Sequence, residues 1–171
     1  MERSALPLDR LDLALLTALT EHPRAGDLEL SRLTKVARAT VQSRLRRLQE
    51  AGVIADWDPS IDVAAAGFPV QAFVTLEIAQ GALDEVSQDL ASIPQVLEAY
   101  VTTGSFDVLC RVATQSHPEL QATLVNIDKS PSVVRSTSVM VLSVLVEPRV
   151  LPLLASAEPA PSRRAPAYRK H

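Results

Sequence analysis

RATVQSRLRRLQEAGVI, residues 38–54, holds four arginines and no acid before Glu50, in a chain of 171 residues whose formal charge at pH 7 is −3. At about 100° per residue, Val41, Leu45 and Leu48 fall on one side of a helix. The opposite arc collects Ala39, Thr40, Gln42, Ser43, Arg46 and Arg47, compact at its start and cationic further along. Gly52 ends the pattern. Upstream, Leu8, Leu11, Leu15 and Leu19 recur at three- and four-residue spacing, which predicts a helix terminated by Pro23 and Gly26. Asp27 offers an N-cap for a short second helix carrying Leu28, Leu30 and Leu33. Three helices are expected within residues 1–52.

Taken alone, a basic helix face is an ordinary solvated surface. The close succession of the second and third helices instead predicts a helix-turn-helix. A major groove admits one helix, provided the side chains near its amino end are small and can form hydrogen bonds. Ala39, Thr40, Gln42 and Ser43 meet that demand, with Arg38 ahead of them. Arg46 and Arg47 follow about a turn later, where guanidinium groups would meet phosphates or a guanine edge. The charge is divided along the chain to match. Residues 1–50 hold nine Lys/Arg and seven Asp/Glu, residues 51–147 three and twelve, residues 148–171 five and one. A local cationic segment beside an anionic remainder suits a polyanionic partner for the first part only.

Composition excludes other classes. The 47% hydrophobic content is that of a folded protein. The single cysteine, Cys110, rules out an intramolecular disulfide and a multi-cysteine metal site. Apolar runs fall far short of the ~20 residues of a membrane helix, and the amino terminus lacks a signal-peptide pattern. A cytoplasmic location without membrane contact is expected.

Residues 53–69 read as a turn-rich linker of two extended pieces broken at Asp58-Pro59, with Trp57 expected against the helices. From Val70 the pattern changes. Val70, Ala72, Val74, Leu76 and Ile78 alternate with Gln71, Phe73, Thr75 and Glu77, which predicts a strand with one apolar face. Residues 82–93 read as a helix, 95–103 and 106–114 as a hairpin turning tightly at Gly104-Ser105, 117–128 as a second helix, and 133–147 as a long last strand. Strand, helix, strand, strand, helix, strand is the ferredoxin-like βαββαβ order, here over residues 70–150. The fold class is α+β, a (winged) helix-turn-helix followed by this domain. Near its end the last strand is apolar on both sides, with Val139, Val141 and Leu145 opposed to Met140, Leu142, Val144 and Val146. A monomer leaves one set wet, so a homodimer stacking two sheets is expected, its two reading helices matched to an inverted repeat.

Three segments, LDRLDLALLTAL (8–19), LELSRLTKVARATVQSRLRRLQEAGVI (28–54) and YVTTGSFDVLCRV (100–112), resemble the Lrp/AsnC (feast/famine) transcriptional regulators of bacteria and archaea. The resemblance spans Leu8 to Val150. Two departures stand out: Lys35 occupies a turn position usually held by Gly, and Ala37 replaces the usual Ser cap before the third helix. Without that hydroxyl, a later start, at Thr40, is expected. The resemblance implies a sequence-specific regulator binding double-stranded DNA, a dimer extended in the family to tetramers or octamers, and an amino-acid effector held at a cleft between dimers around Gly104, Ser105, Phe106 and Asp107. Glycine allows close backbone approach, turn N–H groups suit a carboxylate, and Asp107 suits an α-ammonium. Ser136 and Ser138, where the family often has threonines, would add hydroxyls. A plain hairpin with a structural Asp107 is the alternative, as is a ligand-independent architectural DNA-binding protein.

No catalytic site, metal site or cofactor is expected. His22, His117 and His171 are scattered without triad or metal-ligand spacing, and Cys110 reads as a core residue. Sirohaem decarboxylases also resemble this family, but Arg111, His117, Lys129 and Arg135 are too few cations for a many-carboxylate substrate. The tail, residues 151–171, is Pro- and Ala-rich at its end and reads as disordered.

Overall fold

In a computed structural model of the chain, residues 6–161 are described. In chain order the elements are α1 (Arg10–Glu21), α2 (Asp27–Thr34), α3 (Arg38–Glu50), β1 (Val70–Ile78), α4 (Leu83–Ala91), β2 (Val96–Val101), β3 (Val108–Thr114), α5 (His117–Asp128), β4 (Val133–Met140) and α6 (Leu151–Ser156). They form two compact units. One comprises the residues up to Pro59 together with those from Glu147 onward, the other Ser60–Val146.

The first unit is the expected tri-helical module. Asp9 caps α1: its side chain accepts from the N–H groups of Leu11 and Asp12, and Asp12 Oδ2 accepts from the Asp9 N–H, a reciprocal capping box. Leu15, Ala18, Leu30, Val41 and Leu45 form the core where α1, α2 and α3 meet. Asp27 is not the N-cap of α2. Gly26 holds that position without a side-chain bond, and Asp27 is the first helical residue. Its carboxylate is therefore free to reach α3.

Lys35 ends α2 in the left-handed region, φ 56° and ψ 36°. Glycine would adopt that conformation without the clash that Cβ brings. Ser31 holds the turn closed, its hydroxyl donating to the Val36 carbonyl at 2.6 Å and its carbonyl accepting from the Val36 N–H at 3.2 Å. The later start of α3 does not occur; the helix begins at Arg38. The Ala37 carbonyl accepts from the N–H groups of Thr40 and Val41 at 2.9 and 3.1 Å, so the backbone nucleates the first turn without a capping hydroxyl. Beyond Gly52, residues 53–59 carry no strand where a wing would stand.

The C-terminal segment departs from the expected disorder as far as residue 161. Residues 151–156 are helical and pack beside α1, and the Ala160 N–H donates to the Leu8 carbonyl at 2.8 Å. Leu151 and Leu154 are partly covered on this helix, a local apolar spacing that composition alone obscured, while Leu153 is exposed. Residues 162–171 lie outside the described part.

In the second unit the four strands lie in the order β2-β3-β1-β4, all neighbours antiparallel, which is the ferredoxin-like topology. Val74 stands between Cys110 and Ser138 in register, and Leu76 between Val108 and Ser136. Both helices cover one face. Val86 and Leu90 of α4 and Leu120 and Ile127 of α5 close on Ala72, Val74, Leu76, Cys110 and Val112. The last strand is shorter than the alternation predicts, ending at Met140 rather than Glu147. Val141 makes one further bond, its N–H to the Gln71 carbonyl at 2.9 Å, and β1 begins at Val70, so the ladder has no partner beyond. Leu142 and Leu145 are each 93% exposed. The hairpin turn is also wider than Gly104-Ser105: residues 102–107 form it, and the Thr102 N–H donates to the Asp107 carbonyl at 2.8 Å.

Ala37→Ser supplies the missing cap and Lys35→Gly relieves the left-handed turn. Each raises stability by about 0.5–1 kcal/mol, read as a higher thermal midpoint.

Candidate nucleic-acid interface and effector loop

The exposed face of α3 is shaped by two acids at the start of α1, the N-cap Asp9 and Asp12. Asp12 is fully buried and Asp9 nearly so. Isolated carboxylates would be costly there. Arg44 answers both, with Nη1 at 2.6 Å from Asp9 Oδ2 and 3.0 Å from Asp12 Oδ1, and Arg47 Nη2 donates to Asp12 Oδ2. Burial by itself would raise the Asp9 pKa. The bonds from Arg44 and from the Asp12 backbone outweigh it and hold Asp9 below its ordinary value, and the same partners hold Arg44 above its own. This four-residue cluster clamps the start of α1 to one flank of α3.

The clamp divides the sequence-predicted DNA residues. Arg38, Ala39, Gln42, Ser43 and Arg46 are exposed along α3. Thr40 is partly covered on the clamp side. Arg47, expected to reach phosphate, is turned inward to Asp12, and its Nε is buried without a partner. The helical wheel places it on the solvent side, because the acid it meets lies 35 residues away in sequence and leaves no local signal. Among the described residues Arg46 makes no ion pair.

The other flank carries a contact that sequence reasoning missed. Asp27 Oδ2 accepts from Gln42 Nε2 at 2.6 Å and stands 3.8 Å from Arg38 Nε. Beside it Leu19, Ala25, Leu45, Gln49 and Trp57 line an open cavity of about 490 Å³. Trp57 borders the helices as expected, yet is half exposed.

In the second unit, the 102–107 loop lies at the end of β1. Gly104 has φ 124°, a value that glycine accommodates without the clash a Cβ would bring. Asp107 is tied into the sheet end: its Oδ2 accepts from the Ile78 N–H at 2.8 Å, its own N–H donates to the Leu76 carbonyl, and Thr102 Oγ1 donates to the Phe106 carbonyl. Gly104, Ser105 and Asp107 are exposed. Ser136 stands at the same end of the sheet on β4, two strands from β3, roughly 10 Å across at ordinary strand spacing. Ser138 lies one alternation further along. The structure brings the loop residues together and leaves the two serines apart from them. Burial pushes the Cys110 thiol up to about 11, which keeps it protonated and inert at neutral pH, as a core residue should be.

Two family models match: the Lrp/AsnC ligand binding domain over residues 71–151, and a winged helix-turn-helix DNA-binding domain over residues 8–55. The HTH-type transcriptional regulator FL11 of Pyrococcus horikoshii is 32% identical over 148 residues, 86% of this chain and 98% of that protein. AsnC of E. coli superposes with a TM-score of 0.80 at 24% identity, covering 86% of this chain and all of that one. The leucine response regulatory protein LrpA of Mycobacterium tuberculosis superposes with a TM-score of 0.71 at 27% identity, covering 84% and 98%.

Asp12→Ala strips Arg47 of its acid partner and leaves Arg44 with Asp9 alone. Because Arg47 is about one-third exposed and partly screened, the expected loss is roughly 2–4 kcal/mol, measured by denaturant unfolding. Asp9 titrates below its unfolded value, so its contribution is complete above that value. It disappears as pH falls through the lower folded pKa, so the stability of the first unit in wild type declines on acid titration below about pH 4. Asp9→Asn flattens that acid limb.

Proposed function

This chain belongs to the Lrp/AsnC family of transcriptional regulators, and we propose on that premise that it grips duplex DNA as a symmetric dimer through the outer face of α3 and answers to an amino acid held at the 102–107 loop. The protein is a transcriptional regulator with a helix-turn-helix unit and a ligand-binding domain. One observation carries the reading of its DNA surface. Arg38, Ala39, Gln42, Ser43 and Arg46 are exposed together on a helix whose opposite flank is fixed by the Asp9–Asp12–Arg44–Arg47 cluster. Ala39 and Ser43 let the helix approach the groove floor, and Arg46 supplies the phosphate contact. Arg47 serves the fold and Arg46 the nucleic acid.

The open face of the sheet supports the dimer. Phe73, Tyr100 and Val139 are exposed there, and Leu142 and Leu145 extend the apolar surface past the end of β4. Stacking two such faces about a two-fold axis buries them and fixes the separation of two α3 helices on an inverted repeat. For the effector, the loop offers turn N–H groups to a carboxylate and Asp107 to an ammonium, with Ser136 at the same sheet end. Occupancy there alters packing between dimers and hence the spacing of the reading helices. Higher assemblies, tetramer or octamer, follow from that packing.

Three measurements test this. Arg46→Glu lowers affinity for promoter fragments by at least about tenfold at moderate salt and reduces the salt slope, with no change in thermal midpoint; unchanged affinity overturns the DNA surface. Val139→Asp halves the sedimenting mass if the sheets stack. Titration of amino acids shifts oligomer size for at least one of them, and Asp107→Ala abolishes the shift; no response to any amino acid removes the effector role.

A further inference from the structure

On the exposed side of α3 the Gln42 side chain is held by a neighbouring helix, through the same Asp27 that stands near Arg38, and that partner can only accept hydrogen bonds. Asp27 Oδ2 lies 2.6 Å from Gln42 Nε2. A carboxylate accepts and never donates in its ionised form, so the amide must turn its NH₂ toward α2 and its oxygen away. The choice between the two amide orientations, which an unsupported glutamine leaves open, is thus made by chemistry. Asp27 is itself anchored, being the first residue of α2 behind Gly26 and 3.8 Å from Arg38 Nε. Its side chain is about one-third exposed, enough to reach α3 while remaining part of the helix start.

We propose that Asp27 is a positioning residue for base recognition: by fixing the polarity of the Gln42 amide, it turns Oε1 outward and biases Gln42 toward a base that offers an amino donor in the major groove. Adenine presents N6–H and cytosine N4–H, whereas guanine and thymine present only acceptors at the corresponding place. On the contacted strand the outward Oε1 therefore favours adenine or cytosine over guanine or thymine, which only the second Nε2 hydrogen can meet. A free glutamine would rotate its amide and accept all four. This inference rests on the reading that α3 enters the groove, and it adds to that reading a residue of α2 that acts through another side chain.

The test is selection of bound duplexes from a randomised pool by the full chain, followed by sequencing, for wild type, Gln42→Ala, Asp27→Ala and Asp27→Asn. In wild type, one position per half-site shows A or C preferred over G or T by roughly five- to tenfold, and Gln42→Ala flattens that position alone. Asp27→Ala and Asp27→Asn keep the site but bring the ratio at that position within about twofold, since alanine holds nothing and asparagine permits either amide orientation. Removing a negative charge raises affinity for every sequence equally, and a merely structural role for Asp27 would alter all positions together; neither changes the ratio at one position. The proposal is overturned if the Asp27 variants retain the wild-type ratio, if the position lost in Gln42→Ala prefers G or T in wild type, or if Gln42→Ala changes no position. Failure of the underlying DNA reading looks different: wild type then enriches no sequence, and Arg46→Glu binds the pool as wild type does.

Discussion

Asp12 is an anion without solvent contact, and the arrangement of the first unit follows from the need to compensate it. Its two oxygens are taken by Arg44 and Arg47, with the Asp9 backbone N–H as a third donor, while Asp9 shares Arg44. Such an arrangement adds little net stability compared with apolar packing, because desolvation offsets most of the attraction. What it adds is orientation. Charges of this kind are satisfied in one geometry, so rotation or sliding of α3 against α1 would strand a buried carboxylate. A recognition helix begun at an uncapped Ala37 after a left-handed Lys35 has weak local definition at its start. The cluster supplies from α1 the rigidity that the turn lacks.

The same cluster explains how the positive charge of α3 is used. Arg44 and Arg47 serve as counterions within the unit, Arg38 is partly drawn toward Asp27, and Arg46 is left for an external anion. A count of arginines on one helix overstates the charge available to DNA, because two of them are already spent on internal acids. Specificity and affinity are correspondingly separated along the helix. On the proposed DNA surface, small residues and Gln42 occupy the first two turns, suited to base edges, and Arg46 lies one turn beyond, suited to the backbone.

The second unit is governed by a different constraint. Two helices can cover only one face of a four-stranded sheet, and the residues that alternate with the core have no cover within the unit. On that face Glu98, Arg111 and Tyr100 form a small polar group, Arg111 at 3.4 Å from Glu98 and the Tyr100 hydroxyl donating to Glu98 at 2.7 Å. Phe73 stands in register between Arg111 and Val139 across the ladder. A surface mixing exposed apolar groups with a fixed polar centre suits a self-complementary contact better than free solvent.

The sequence alone determined the elements and their order. Helical spacing of leucines located α1, α2 and α3, alternation located β1, and the hairpin and helix signals that followed identified the βαββαβ order, because these patterns are local and each residue's neighbours set them. It also placed Arg46 and the small residues of α3 on an outward face. Tertiary structure alone decided what each polar side chain meets. Arg47 turned inward to an acid 35 residues away, Asp27 left its capping role for Gln42, Asp107 became tied to the end of β1, and β4 stopped where β1 offered no further partner. Periodicity reports which side of an element is apolar; pairing between distant charges and the length of a ladder depend on which elements are brought together, and no local pattern encodes that.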